Sequence, residues 1–309
     1  MKWLEKRVVI SVVVVVFTTT VFLKTSSAGH DEGVPGQIRA LAAQVEALEE
    51  AVGLQQKQIA ELKGANAGLA AKLQCVSNTS TGQDIIFEGC NVHVLNGAGR
   101  TDTTNGFGNL IVGYNKNEVS TRTGSHNFVV GDLHEYTSYG GVVSGTENTL
   151  SAPNATVLSS TDSAARNLSA TILSADRGIA DTIAVIAGGS QNYAGPGANF
   201  GAVIGGHQNS VNGSASVSVG GALNNAAGSD GVTAGGSENQ TTGTQSTVCG
   251  GEQNVSSGLG SSISGGLENV ASGRASSVSG GSNNTASGDF SSVLGGTGIA
   301  LSTPNGTSP

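Results

Sequence analysis

Residues 261–288 read SSISGGLENVASGRASSVSGGSNNTASG, a pattern that restarts after fifteen residues. The period extends in both directions. Gly-Gly pairs stand at Gly205-Gly206, Gly220-Gly221, Gly235-Gly236, Gly250-Gly251, Gly265-Gly266, Gly280-Gly281 and Gly295-Gly296. Three residues after each of the first six pairs comes an Asn: Asn209, Asn224, Asn239, Asn254, Asn269 and Asn284. Four residues further on stands another glycine, from Gly213 and Gly228 through Gly243, Gly258 and Gly273 to Gly288. An aliphatic residue precedes most pairs, as at Val203, Val248, Ile263, Val278 and Val293. Fixed chemistry at fixed offsets marks a repeat architecture.

Fifteen residues are too few for a helix–turn–helix unit, and Gly, Ser and Asn are poor helix formers. The length suits one rung of a parallel β-solenoid, in which Gly supplies turn conformations closed to other residues. The fold class expected is therefore mainly β, a β-roll. Each rung adds about 4.8 Å, so Asn stacks on Asn and the side-chain amides can hydrogen-bond up the column. A disordered Gly/Ser linker has no reason to keep register over seven Gly-Gly pairs.

Upstream, aliphatic pairs recur less evenly at Ile111-Val112, Val129-Val130, Val142-Val143, Val157-Leu158, Ile172-Leu173 and Val185-Ile186. These are the same rungs with turn insertions and deletions. About thirteen rungs would make a solenoid on the order of 60 Å long. Residues 109–296 form this head, and 297–309 carry two Pro and no pattern, which predicts a frayed tail. Residues 76–108 read as a neck with short strands at Ile85-Ile86-Phe87 and Val92-His93-Val94.

The chain opens differently. Lys2, Lys6 and Arg7 precede an apolar run from Val8, and Ser26-Ser27-Ala28 offers a small-residue cleavage site. Residues 1–28 thus read as a secretory signal peptide, with an uncleaved N-terminal membrane anchor as the alternative. After a linker at 29–36, residues 37–75 carry heptads. Ile38, Val45, Val52, Ile59 and Leu73 share one position with Asn66, and Leu41, Leu48, Leu62 and Leu69 share the other with Gln55. An a/d seam of this kind specifies a coiled-coil stem, with the two polar residues setting register and strand number. Thirty-eight residues would give a rod of about 57 Å. Cys75 and Cys90 are candidates for a disulfide within or between chains in an exported protein. Cys249 stands where other rungs have Ile204, Val219, Ala234 and Leu294, and reads as a small apolar rung residue.

Composition narrows the function. Aromatic residues are 4% and charged residues 12%, low for an independent globular domain. One or two aliphatic side chains per rung make a thin core, which points to several chains burying apolar surface together. The net charge is −8 and no Lys follows Lys116, which disfavours nucleic-acid binding.

In Ser276-Ser277-Val278-Ser279-Gly280-Gly281-Ser282-Asn283-Asn284-Thr285-Ala286-Ser287-Gly288, and equally in 261–273, the chain resembles the head repeats of YadA-like trimeric autotransporter adhesins. Gly108-Asn109-Leu110-Ile111-Val112-Gly113-Tyr114-Asn115 is similar to the first rungs of bacterial secreted repeat proteins of this type. The resemblance implies a left-handed parallel β-roll, three chains side by side, and adhesion at a bacterial cell surface. Two features depart from that family. The coiled coil precedes the head, and the C-terminus shows no alternating strands for a membrane barrel, so attachment would fall to the N-terminal segment or a separate partner.

Catalytic constellations are scarce. His126, Asp132, His134 and Glu135 form the richest polar cluster, but their spacing fits no metal motif. Gly-x-Gly at Gly97/Gly99 and Gly258/Gly260 continues into no dinucleotide or phosphate fingerprint. No catalytic residue, metal or cofactor is expected. The leading expectation is an exported, non-enzymatic structural or adhesive homotrimer with a protein or glycan partner. Its contacts would come from Tyr114, Phe128, His134, Tyr136, Tyr139, Tyr193 and Phe200, where the rungs are irregular and aromatics collect. The alternative is a polysaccharide-binding or polysaccharide-cleaving solenoid of tailspike type. The narrow, nearly charge-free rungs disfavour it, because those enzymes group carboxylates, Lys or Arg in a groove on wider coils. A third reading, ice or mineral binding, lacks its Thr column at Ala202, Val217, Val232, Thr247, Ser262, Ser277 and Ser292.

Overall fold

The computed structural model describes residues 34–79, 82–116 and 121–308. The proposed signal segment lies outside the described residues. The chain forms two compact units, one ending at Val92 and one beginning at His93.

Among its described residues the first unit has one helix, α1 (Val34–Lys72), of 39 residues. It starts three residues before the heptads because Pro35 is tolerated in a first helical turn. A hairpin follows, β1 (Val76–Asn78) against β2 (Ile85–Phe87), antiparallel with Val76 opposite Phe87. Cys75 and Cys90 close it with a disulfide inside one chain, Cα–Cα 5.9 Å. Among the described residues no helix is long and apolar enough to cross a membrane.

The second unit is a parallel β-solenoid of two facing sheets. The long sheet has 14 strands, from Leu110–Val112 to Thr307–Ser308, and the short sheet has 12, from Glu135–Tyr136 to Ala300–Leu301. Every strand in both pairs parallel with the next rung's strand. Partners such as Val217 and Val232 are separated by the fifteen-residue period. The earlier steps are less even. Ile111 to Val129 is eighteen, Val129 to Val143 fourteen, and Ile186 to Val203 seventeen. The chain beyond Gly296 corrects the expectation of a patternless tail: Ala300 pairs with Thr285 and Thr307 with Ser292. Its aliphatic signal is weak, but the backbone continues the ladders.

From Phe128–Asp132 to Ser292–Val293, strand alternation sends the second residue of each long-sheet strand inward. Val129, Val143, Val157, Ile172, Ile186 and Val203 form that file, facing Leu150, Ala165, Ala180, Ala194 and Val211 from the short sheet, all buried. The core then turns polar at Ser218, Thr233 and Thr241, whose buried hydroxyls have no partner, and resumes as apolar at Val248.

The Asn column forms a ladder, though not mainly of amide on amide. The backbone N–H of Asn224 donates to Asn209 Oδ1 at 3.0 Å. Asn209 Nδ2 donates to the carbonyls of Gly205 at 3.3 Å and Gly221 at 3.2 Å. Each buried Asn thereby ties the turn of its own rung to the next one and gives the buried N–H of the following Asn its acceptor, while the next rung's Gly carbonyl also accepts a backbone N–H, as Gly221 does from His207.

The glycines fall into two kinds. The second Gly of a pair has positive φ, as at Gly221 (74°). The glycine four residues after each Asn does not need that freedom. A Cβ on Gly228 would lie 2.0 Å from the Gly243 carbonyl oxygen, so stacking itself excludes a side chain.

Candidate partner-binding surface

The seven aromatic and His positions expected to make contacts divide on burial. His134 is fully buried and Tyr136 is 3% exposed, so both leave the set of surface candidates. His134 occupies the ladder position that Asn fills elsewhere. Its N–H donates to Asn115 Oδ1 at 3.1 Å, and its Nδ1 accepts from the Asn148 N–H at 3.3 Å. Nε2, at 3.0 Å from the Val130 carbonyl, must then be the donor, which fixes the neutral ring. Burial lowers the His134 pKa, against the raising effect of the Val130 bond. Burial likewise raises that of Tyr136.

His126 is not brought together with this group. Its Nδ1 lies 3.1 Å from the Thr101 carbonyl. Among the described residues no group of three His, Cys, Asp or Glu side chains could hold a metal ion.

The other candidates reach the surface. Tyr114 is 93% exposed and Phe200 73% exposed. Phe128 lies on the outer side of the long sheet, and Tyr139 and Tyr193 are half-buried. Phe200 sits at a corner with φ of 63°, a conformation costly for a bulky residue. With Ile183 and Val185 it lines a depression of 260 Å³.

Tyr193 has the most developed surroundings. It is the outward residue of Tyr193–Ala194 in the short sheet, and its hydroxyl donates to Asp181 Oδ2 at 2.9 Å. That bond to a carboxylate is the main cause of its raised pKa. Asp181 also faces the Arg166 guanidinium at 3.7 Å. A neighbouring depression of 320 Å³ is lined by Arg166, Arg177, Asp162 and Ile179. Arg177 pairs with Asp176 at 3.1 Å, and Ser190 Oγ donates to the same carboxylate. The result is an aromatic ring beside a patterned set of donors and acceptors, suited to recognising a polar partner. It holds no nucleophile set against a base.

Arg166 and Asp181 were not singled out by sequence, yet a signal existed. They are fifteen residues apart, so the period alone stacks them on one file. Cys249 also departs from expectation. The residue before each Gly-Gly pair points out of the roll, and Cys249 is exposed and free.

The chain matches no protein-family model and no curated protein.

Proposed function

We propose that the protein is an exported, non-enzymatic surface protein in which several copies, three by the resemblance of its head, unite through a coiled-coil stem. The head presents β-roll faces to a protein or glycan partner in cell adhesion. Tyr193 with Asp181 and Arg166 is the best-organised contact site. The observation that carries this reading is the helix seam. Its nine apolar a/d residues, eight on the helix and Leu73 just past its end, are between 45% and 62% exposed, leaving a stripe interrupted at Gln55 and Asn66 that water alone would have to cover.

The seam speaks to the number of chains as well. Ile or Val at the first position with Leu at the second is the choice of two-stranded parallel coils. Three strands rest on the resemblance of the head.

The mass of the full chain by light scattering tests the assembly. Three chain masses support the proposal as stated, two retain the stem and overturn the threefold head, and one overturns both. Arrays of glycans and extracellular proteins test the partner. Binding that falls at least tenfold in Tyr193→Ala supports the site, and hydrolysis of a polysaccharide on the array would favour the tailspike reading instead.

A further inference from the structure

Tyr193 stands at the end of a file of outward residues on the short sheet. It pairs in register with Ile179, and Ile179 pairs with Ala164. The same register sets Asp162 one rung from Arg177 on one side of the file, and Arg166 one rung from Asp181 on the other. Ala164 and Ile179 are thus the floor of the 320 Å³ depression, with charged residues along both rims and Tyr193 one rung beyond. The tyrosine ring lies along the sheet. A Cβ on Gly195 would come within 2.9 Å of Tyr193 Cε1 and 3.2 Å of Cζ, and would meet Asn212 Oδ1 as well. Gly195 has no positive φ, so its missing side chain makes room for these neighbours and not for a turn. The hydroxyl bond to Asp181 holds the far end of the ring.

We propose that this trough takes a neutral glycan, one sugar ring laid on Tyr193 and the chain following the file towards Ala164. The proposal rests on the partner-binding reading above and adds the chemical class of the partner. A pyranose ring has apolar C–H faces and an edge of hydroxyls. The trough has the matching surfaces, an apolar floor of Ala164, Ile179 and the Tyr193 ring between rims of donors and acceptors. The Arg166 and Arg177 side chains are 51% and 53% exposed, so each keeps N–H groups open to a ligand while a carboxylate holds it in place. Charge decides between kinds of glycan. Each rim carries one Asp and one Arg, and Asp176 adds a further carboxylate beside Arg177. A sialic or uronic acid would have to compete with the carboxylates already paired to the arginines it needs, a cost that an uncharged sugar does not meet. A protein partner matches less well. Its hot spots want desolvated pockets for large anchors, whereas this trough is open and the file continues past Tyr193 as Ser210 and Asn225. Three floor residues one rung apart span about 10 Å, which accommodates a short oligosaccharide.

Paired probes test the class on the full chain by ligand-observed NMR: lactose against sialyllactose, and N-acetylated chito-oligosaccharides against hyaluronan fragments. At least one neutral probe should bind, its acidic counterpart about tenfold more weakly, and added salt should leave the neutral affinity unchanged. Tyr193→Ala should weaken binding by about tenfold or more, and Tyr193→Phe, which keeps the ring, by much less. Ala164→Gln fills the floor without touching the ring and should weaken it as Tyr193→Ala does; an unchanged melting temperature confirms that each variant is folded. Acidic probes bound as tightly as neutral ones would overturn the neutral class. Neutral binding that survives both Tyr193→Ala and Ala164→Gln would overturn the trough as its place and leave the adhesive reading intact. If no probe binds, but an extracellular protein binds and is lost in Tyr193→Ala, the carbohydrate class falls and the contact site stands. Binding of neither sugar nor protein would overturn both.

Discussion

The backbone N–H of Asn254 donates to the side-chain oxygen of Asn239 at 3.1 Å, one rung and fifteen residues away. Asn239 Nδ2 in turn donates to the carbonyls of Gly235 at 3.2 Å and Gly251 at 2.9 Å. Asn239→Ala removes these three bonds and a fourth, from Asn254 Nδ2 to the same side-chain oxygen at 3.2 Å. It leaves the N–H of the buried Asn254 without its acceptor, while the Gly251 carbonyl keeps the Ser237 N–H. Loss of stability by about 3 kcal/mol is expected, read as the shift in denaturant midpoint at constant slope. A change within 0.5 kcal/mol would mean that the ladder is decorative.

Glycines of the repeat should not all respond alike. Gly258→Ala places a Cβ 2.0 Å from the Gly273 carbonyl oxygen, whereas Gly265→Ala meets nothing within 4 Å and has no positive φ. The first substitution should destabilise by about 1–3 kcal/mol or more through forced rung separation. The second should be nearly neutral. Equal thermal midpoints for the two variants would contradict the stacking argument.

Thr233 buries a hydroxyl without a partner in the middle of the core. Thr233→Val exchanges it for a methyl group of similar size and should stabilise the solenoid by about 1 kcal/mol. The comparison is made by thermal unfolding followed at a β-structure wavelength. A fall in stability would show that the hydroxyl is satisfied in solution.

His134 makes the early rungs acid-sensitive. Its folded pKa is lowered, chiefly by burial, so it is held neutral in the fold. Stability from this group is fully present above the unfolded value of about 6.5 and is lost as pH falls from there towards the lowered folded value. Protonation would set an Nδ1 proton against the Asn148 N–H. His134→Asn, which installs the residue that the ladder uses elsewhere, should flatten the dependence of the melting temperature on pH below 6.5. Parallel curves for the two proteins would remove His134 as the cause.

Much of this architecture is legible in the residues. The fifteen-residue period and the Asn file are enough for a parallel solenoid with a polar ladder, and the heptads are enough for the helix. What escaped reading lies where one pattern serves two physical ends. Gly221 and Gly228 look alike in sequence, but one provides a positive φ and the other a close approach of backbones. His134 resembled a surface ligand because it stands in an irregular rung, and only its register reveals that it replaces an Asn. Of the candidate site, Tyr193 stood out as one of few aromatics. Arg166 and Asp181 did not, because their significance lies in stacking and not in adjacency.

Because successive regular rungs meet through the same ladder, a rung is an interchangeable part. Removing or duplicating any fifteen residues between Gly213 and Gly288 restores the same upper and lower surfaces, and changes the height of the head by one strand spacing of about 4.8 Å. Reach is therefore adjustable in whole steps by copying DNA in frame. The irregular rungs around Tyr193, whose lengths are not interchangeable, would be carried along unaltered.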